Sequence, residues 1–255
     1  MNLPESRGRN ARLSAVICRL FVLWVLSLQS AQALELVEAA PMRFLIARGE
    51  PNSCGVGCDT WISAEGQIGT DTPSQLAEIL DQAGARRLPI FFSSLGGKAL
   101  PSLAIGRILR KQNMTAGIAR TVPINCMPAK SALLCSWLFY ATPTSGASLS
   151  FDHAKCYSAC AYAILGAVTR LIDPRAELGV HNLRAPENSR TSQTDREKLL
   201  QTFVDVELAP YFVEMGIDRR LNDIAAETKL DGMHVLTRAE LFELGIDRRE
   251  IVGPE

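Results

Sequence analysis

Hydrophobic and polar positions in this chain switch repeatedly between a period of two and a period near 3.6, and the switching predicts its elements. From Thr60 to Ile68 the run Thr-Trp-Ile-Ser-Ala-Glu-Gly-Gln-Ile reads as a strand, and Thr72-Pro73-Ser74 opens a helix with Leu76, Ile79 and Leu80 on one face. Leu88 to Ser94 is a short apolar run that ends in small polar residues, as a buried strand does, and Leu95-Gly96-Gly97 breaks it. Leu100, Leu103, Ala104, Ile108 and Leu109 then recur at helical spacing, with Arg107, Arg110 and Lys111 opposite them. Thr115 to Arg120 reads as the next strand. This order of strand, helix, strand and helix calls for parallel pairing through right-handed crossovers, so the predicted fold class is α/β.

Beyond this point the pattern loosens. Residues 122–151 are rich in Pro, Cys, Ser, Thr and Gly around the aromatic patch Trp137-Leu138-Phe139-Tyr140, and they read as an insertion or lid. Cys156 to Ala167 reads as a helix made of Ala, Ser, Cys and Gly, which implies close packing on most of its sides. Arg170 to Ile172 and Leu178 to His181 are predicted short strands, and Arg184 to Gln193 a polar loop. The C-terminal part is predicted helical. Thr194 to Met215 carries Leu199, Leu200, Phe203, Val206 and Leu208, a short helix carries Leu221, Ile224 and Ala225, and Thr237 caps a last helix bearing Leu241 and Leu244.

Composition narrows the class. With 255 residues and 47% hydrophobic content there is apolar material for one sizeable core, and the 27 basic residues offset the 27 acidic ones. No global field then favours nucleic acid, which is excluded as an expected partner. Arg7, Arg9, Arg12 and Arg19 precede the apolar run Leu20 to Leu28, and Ala31-Gln32-Ala33 supplies small residues for cleavage. Residues 1–33 therefore read as a signal peptide, with Leu34 as the mature start and a periplasmic or extracellular destination. The alternative, a membrane anchor through residues 13–28, contains Arg19 and falls short of the ~20 residues a spanning helix needs. Residues 34–59 form a Cys-containing lead-in to a main domain at 60–255.

Cysteine usage agrees with export. Of the 7 cysteines, Cys18 leaves with the leader, and Cys54, Cys58, Cys126, Cys135, Cys156 and Cys160 remain as disulfide candidates. Cys54 with Cys58 and Cys126 with Cys135 are the local pairings. No metal is expected, because both closely spaced pairs are separated by three residues and no histidine follows at ligand distance.

Candidate chemistry converges on few residues. His153, His181 and His234 are the 3 histidines, which limits the general bases. Ser158 lies at the predicted start of a helix, where free backbone N–H groups and the helix dipole favour a developing oxyanion. The same serine also suits a tightly packed helix as a mere small residue. Gly96-Gly97 after a buried strand allows close approach of a carbonyl. It is not a phosphate loop, since Ala99 follows Lys98 and Phe92 stands where that motif needs glycine.

In combination, Ser93-Ser94-Leu95-Gly96-Gly97, the amphipathic helix, the small-residue helix opening at Ser158 and Gly179-Val180-His181 resemble the proteolytic subunit of the Clp protease, within the Clp-protease/crotonase superfamily. The resemblance runs from about Trp61 to Ile246. It implies a spiral of ββα units with parallel sheets, Ser158 as nucleophile, His181 as general base, Asp231 as the group orienting the imidazole, and the amides of Gly97 and Ala159 as an oxyanion hole. The chain departs from the family at Leu95, which replaces a loop proline, in two extra residues after Asp231, and in the length of the 122–151 segment. His234 and Asp223 are alternatives to Asp231. Lys155 offers a Ser–Lys dyad like that of signal peptide peptidases. Cys156 and Cys160 flank Ser158 as alternative nucleophiles, and a pairing of either with Cys126 or Cys135 is expected instead.

The implied function is an exported serine hydrolase of the peptidase type that acts on a peptide or protein without a cofactor. A non-catalytic binding or assembly relative is the alternative. Crotonase chemistry on a coenzyme A thioester comes third, opposed by export and by the lack of an acidic residue in the loop after Gly97. Relatives on this fold oligomerise, so a homo-oligomer contacting through the 194–215 helix is expected, and no ATP-driven partner is identifiable.

Overall fold

Strand formation begins earlier than the hydrophobic pattern predicts. In the computed structural model, which describes residues 40–124, 146–183, 192–229 and 232–247, the lead-in contains β1 (Arg43–Arg48). Leu45 and Ala47 are buried while Arg43 and Arg48 stay exposed, and the short apolar run Phe44 to Ala47 between them carries no polar alternation. β1 pairs antiparallel with β2 (Thr60–Glu65), from Arg43 opposite Glu65 to Arg48 opposite Thr60. The predicted strand reached Ile68, but Gly66, at φ 111°, ends β2 early.

The predicted crossovers follow. α1 (Thr72–Ala83) carries its proline in the first turn, where no N–H is needed, and buries Leu76 and Ile79. It leads to β3 (Ile90–Ser93), then α2 (Ala99–Lys111) and β4 (Thr115–Ile118). With β8 (Thr169–Leu171) they build a five-stranded sheet in the order β1-β2-β3-β4-β8, parallel from β2 onward. The class is α/β, as the pattern implies.

The ends of the predicted insertion are paired. β5 (Arg120–Pro123) runs antiparallel to β6 (Ala147–Ser150). This ribbon is tied to β2, because the Trp61 indole N–H donates to Thr121 Oγ1 at 3.0 Å and the Thr121 amide donates to Glu65 Oε1 at 2.6 Å. Cys126, Cys135 and the aromatic patch lie outside the described residues, as do the predicted leader, the polar stretch 184–191 and Asp231.

A second, three-stranded sheet has the order β10-β9-β7, from β7 (Lys155–Tyr157), β9 (Glu177–Val180) and β10 (His234–Val235). Here the predicted helix from Cys156 is corrected. Cys156 and Tyr157 are in strand β7, and α3 (Ala159–Leu165) starts at Ala159. Every residue of α3 is buried, and each large apolar side chain in it contributes about 1.5–3 kcal/mol by leaving water. Its small residues let α2 approach backbone to backbone: a Cβ on Gly166 would stand 2.0 Å from the Gly106 carbonyl oxygen. The Arg170 guanidinium closes this end, donating to the Leu165 and Ala167 carbonyls at 2.7 Å each and to Gly245 at 3.1 Å.

The predicted helix 194–215 is three pieces, α4 (Gln193–Phe203), a π-helical turn at Val204–Leu208 and α5 (Ala209–Met215). The wide turn directly precedes Pro210, which has no N–H for the Val206 carbonyl. α4 buries none of its residues, and Leu199 and Val206, predicted as apolar-face positions, are 53% and 62% exposed, while Leu208, Tyr211, Phe212 and Met215 beyond the wide turn are buried. α6 (Arg220–Glu227) and α7 (Arg238–Glu243) complete the helical C-terminal part, and Thr237 caps α7 in a reciprocal capping box with Glu240. No helix among the described residues is long and apolar enough to cross a membrane.

Candidate active site

The site forms where the two sheets touch. β3 ends at Ser93, and the next residue bridges to β7: the Ser94 amide donates to the Lys155 carbonyl at 2.8 Å and the Tyr157 amide to the Ser94 carbonyl at 3.0 Å. β7 pairs in parallel with β9, Tyr157 opposite Gly179. Ser158, one residue past Tyr157, and His181, two past Gly179, are therefore brought side by side at the strand ends.

Ser158 occupies the corner between β7 and α3 at φ 55°, ψ −122°. A side chain in that region costs about 1–3 kcal/mol and persists only where its surroundings over-determine it. They do so here. The Ser158 amide donates to the Gly179 carbonyl at 2.9 Å, and its carbonyl accepts from the Ala161 amide at 3.0 Å. Gly96, at φ 111°, lies against it so closely that a Cβ there would stand 2.7 Å from Ser158 Cβ. Cys156 and Cys160 form a disulfide across it, with Cα atoms 5.1 Å apart. This corrects the expected pairing of these cysteines with Cys126 or Cys135. Both thiols are consumed, so neither is a nucleophile. A second disulfide joins Cys54 and Cys58.

His181 Nε2 lies 2.7 Å from Ser158 Oγ, and His181 Nδ1 lies 2.7 Å from the Asn182 carbonyl oxygen. A carbonyl can only accept, so Nδ1 carries the proton and Nε2 presents its lone pair to the serine hydroxyl. The Asn182 side-chain amide donates to the Ala226 carbonyl at 3.0 Å, which fixes this residue to α6. Both Ser158 and His181 are partly exposed.

Two backbone donors stand nearby. The Ile68 amide donates to the Gly96 carbonyl at 2.8 Å and the Lys98 amide to the Ile68 carbonyl at 2.9 Å, so Gly97 between them turns its own N–H the other way. Ala159 is the first residue of α3, and its N–H has no acceptor within the helix. Gly97 and Ala159 border the same groove as Ser158 and His181, about 510 Å³ in volume, with walls from Leu100, Pro101, Leu183, Leu199, Leu200 and Phe203. Leu100, on the predicted apolar face of α2, is 57% exposed and faces this groove.

The other candidates lie elsewhere. Lys155 holds its ammonium 5.8 Å from the centre of the Tyr157 ring, and the Tyr157 phenol bonds the Glu177 carboxylate. His234 Nε2 meets Glu240 Oε1 at 2.8 Å, and His153 Nδ1 lies 3.5 Å from Glu177 Oε1. No hydrogen bond among the described residues joins Asp223 to His181, and Asp231 is outside them. Among the described residues no group of three or more metal-ligating side chains is found. The sequence reading missed the Asn182 carbonyl, since a backbone acceptor leaves no mark in residue type. It also missed the Cys156–Cys160 bridge, although the identical spacing of Cys54 and Cys58 was a usable signal.

No family model and no curated protein sequence matches the chain. Among solved structures it is similar to a mutant of the 1510-N membrane-bound stomatin-specific protease, with 16% identity, a TM-score of 0.44, and coverage of 71% of this chain and 73% of that one. What the site can do chemically therefore has to follow from its own atoms.

Proposed function

We propose that this chain is an exported serine hydrolase of the peptidase type, with Ser158 as nucleophile, His181 as general base and the amides of Gly97 and Ala159 as oxyanion donors. The observation that carries the reading is the 2.7 Å contact between His181 Nε2 and Ser158 Oγ, with the tautomer fixed by the Asn182 carbonyl. That arrangement supports a nucleophile–base pair with an orienting acceptor, the relation that acyl transfer needs.

The chemistry runs in two halves. Ser158 Oγ attacks the substrate carbonyl carbon while its proton passes to His181 Nε2, and the carbonyl electron pair moves onto oxygen. The N–H groups of Gly97 and Ala159 are the proposed donors to that oxyanion. Collapse breaks the carbon–nitrogen bond, the leaving amine takes the proton from Nε2, and an acyl-serine remains. Water, deprotonated by Nε2, attacks the acyl carbon, releasing the acid and returning the proton to Oγ. A carboxylate such as Asp231 would add charge stabilisation to the imidazolium; the tautomer itself needs only Asn182. The two disulfides support an oxidising, exported setting, and the apolar groove supports a peptide or protein substrate.

The test is turnover of a chromogenic ester and of a fluorogenic peptide library by the purified protein. Ser158→Ala and His181→Ala are expected each to lose at least about 10³-fold in kcat/KM. Equal turnover in Ser158→Ala would remove the assignment.

A further inference from the structure

We propose that the Cys156–Cys160 disulfide is a positioning device for Ser158, and that competence of the site requires this pair to be oxidised. Its catalytic consequence rests on the function proposed above; its effect on the Ser158–His181 geometry does not. The bridged Cα atoms are 5.1 Å apart across a separation of 4 residues. Residues four apart on a regular helix hold their Cβ atoms about 5–6 Å apart, beyond the ~3.5–4.5 Å between bridged Cβ atoms, and four residues of strand span about 13 Å. A bridge across this separation thus fits neither. It fits a chain that turns a corner between the two cysteines, and the corner residue is Ser158 at φ 55°. The cross-link therefore selects the conformation that aims Oγ at His181.

Other restraints on that corner are weaker in kind. Extension of α3 toward its N-terminus would exchange the two backbone hydrogen bonds of Ser158 for others, break the pairing of β7 with Ser94 and β9, and swing Oγ away. The covalent bridge opposes that extension in addition to the strand pairing. Both sulfur-bearing residues are fully buried in the main core, so the lock is shielded from reagents that do not open the corner first. The Cys54–Cys58 bridge provides an internal comparison. It has the same separation and the same 5.1 Å Cα distance, but closes an exposed turn with Val56 at its tip, in the second, smaller core cluster. Opening the site bridge takes two electrons and two protons from a dithiol, which leaves as its cyclic disulfide, while Cys156 and Cys160 each gain an S–H.

The experiment compares Cys156→Ala/Cys160→Ala with Cys54→Ser/Cys58→Ser and the unaltered protein. Two quantities are read: the second-order rate of Ser158 labelling by a fluorophosphonate, and the ¹⁵N resonances of the His181 imidazole. The site variant, folded by far-UV dichroism and with a cooperative thermal transition, is expected to label about 10–100-fold more slowly, the scale set by a displacement near 1 Å. Its His181 Nε2 resonance is expected to shift as the Ser158 contact is lost. Cys54→Ser/Cys58→Ser is expected to match the unaltered protein in both readouts. A folded site variant with unchanged labelling and unchanged resonance overturns the proposal. If that variant does not fold, dithiothreitol reduction of Cys54→Ser/Cys58→Ser under native conditions, then reoxidation with glutathione disulfide, replaces it. Loss and recovery of the His181 signature sustain the proposal, and an unmoved signature overturns it. If the unaltered protein does not label at all, the hydrolase reading fails and the His181 resonance alone decides the positioning role.

Discussion

Gly96→Ala isolates the close packing on which the Ser158 corner depends. A Cβ at this position would stand 2.7 Å from Ser158 Cβ, 2.8 Å from the Tyr157 carbonyl oxygen and 3.2 Å from the Ala159 amide, with φ at 111°. Two costs add. An L side chain forced to positive φ costs about 1–2 kcal/mol, and overpacking against backbone that can move only by moving the corner costs about 1–3 kcal/mol. The sum of about 2–5 kcal/mol corresponds to a melting temperature lower by roughly 5–20 °C in a chain of this size. It leaves a typical domain folded at 25 °C. Because the atoms that must yield belong to Ser158 and Ala159, a shift near 1 Å is expected to slow fluorophosphonate labelling by about 100-fold. Gly84→Ala supplies the control: φ there is 63°, with no atom within 4 Å of the added Cβ, so only the conformational cost of about 1–2 kcal/mol applies and labelling is unchanged. The assay is thermal melting by dichroism alongside labelling kinetics at 25 °C. Unaltered labelling in Gly96→Ala, or equal slowing in Gly84→Ala, would refute the packing argument.

Two further perturbations test other parts of the account. Tyr211→Phe removes the buried donor to the Tyr162 carbonyl, a 2.7 Å bond that ties α5 to α3; it is expected to lower stability by about 1–3 kcal/mol in urea unfolding, and a midpoint within error of the unaltered protein would contradict it. Glu240 concerns pH. Burial opposes its charge, but donation from the Thr237 amide and hydroxyl and from His234 outweighs this and holds the carboxyl below its ordinary value of 4.5. A folded value below the unfolded one means that the carboxylate stabilises the fold above the unfolded value and stops doing so as pH falls through the folded one. The melting-temperature gap between the unaltered protein and Glu240→Gln should therefore hold near pH 6 and narrow below about pH 4. A gap that widens on acidification would show the sign to be wrong.

The parts of this fold visible in the sequence are those whose signals are local. Thr72-Pro73 and Thr237 mark helix starts through the chemistry of the first turn, and Leu76, Ile79, Leu103 and Leu109 mark buried faces by spacing. β1 escaped because the four residues between Arg43 and Arg48, Phe44 to Ala47, are a short apolar run without polar alternation. Cys156 and Tyr157 were read as helix because a short apolar run looks alike in either state until its partners are known, and those partners, Ser94 and β9, are distant in sequence. The exposure of Leu199 reflects a helix, α4, that buries none of its residues and borders the groove, which spacing alone does not mark. At the site, Ser158, His181, Gly97 and Ala159 were legible as residue types in a particular order. Their geometry was not, since it depends on strand register between β7 and β9 and on a backbone carbonyl at Asn182.

The most direct test of the account is mass mapping of the adduct formed when the purified protein is treated with a fluorophosphonate. One adduct per chain, located on Ser158 and lost in His181→Ala, is the expected result. No adduct, or one that maps to another residue and persists in Ser158→Ala, would contradict the assignment of Ser158 and His181 as a catalytic pair.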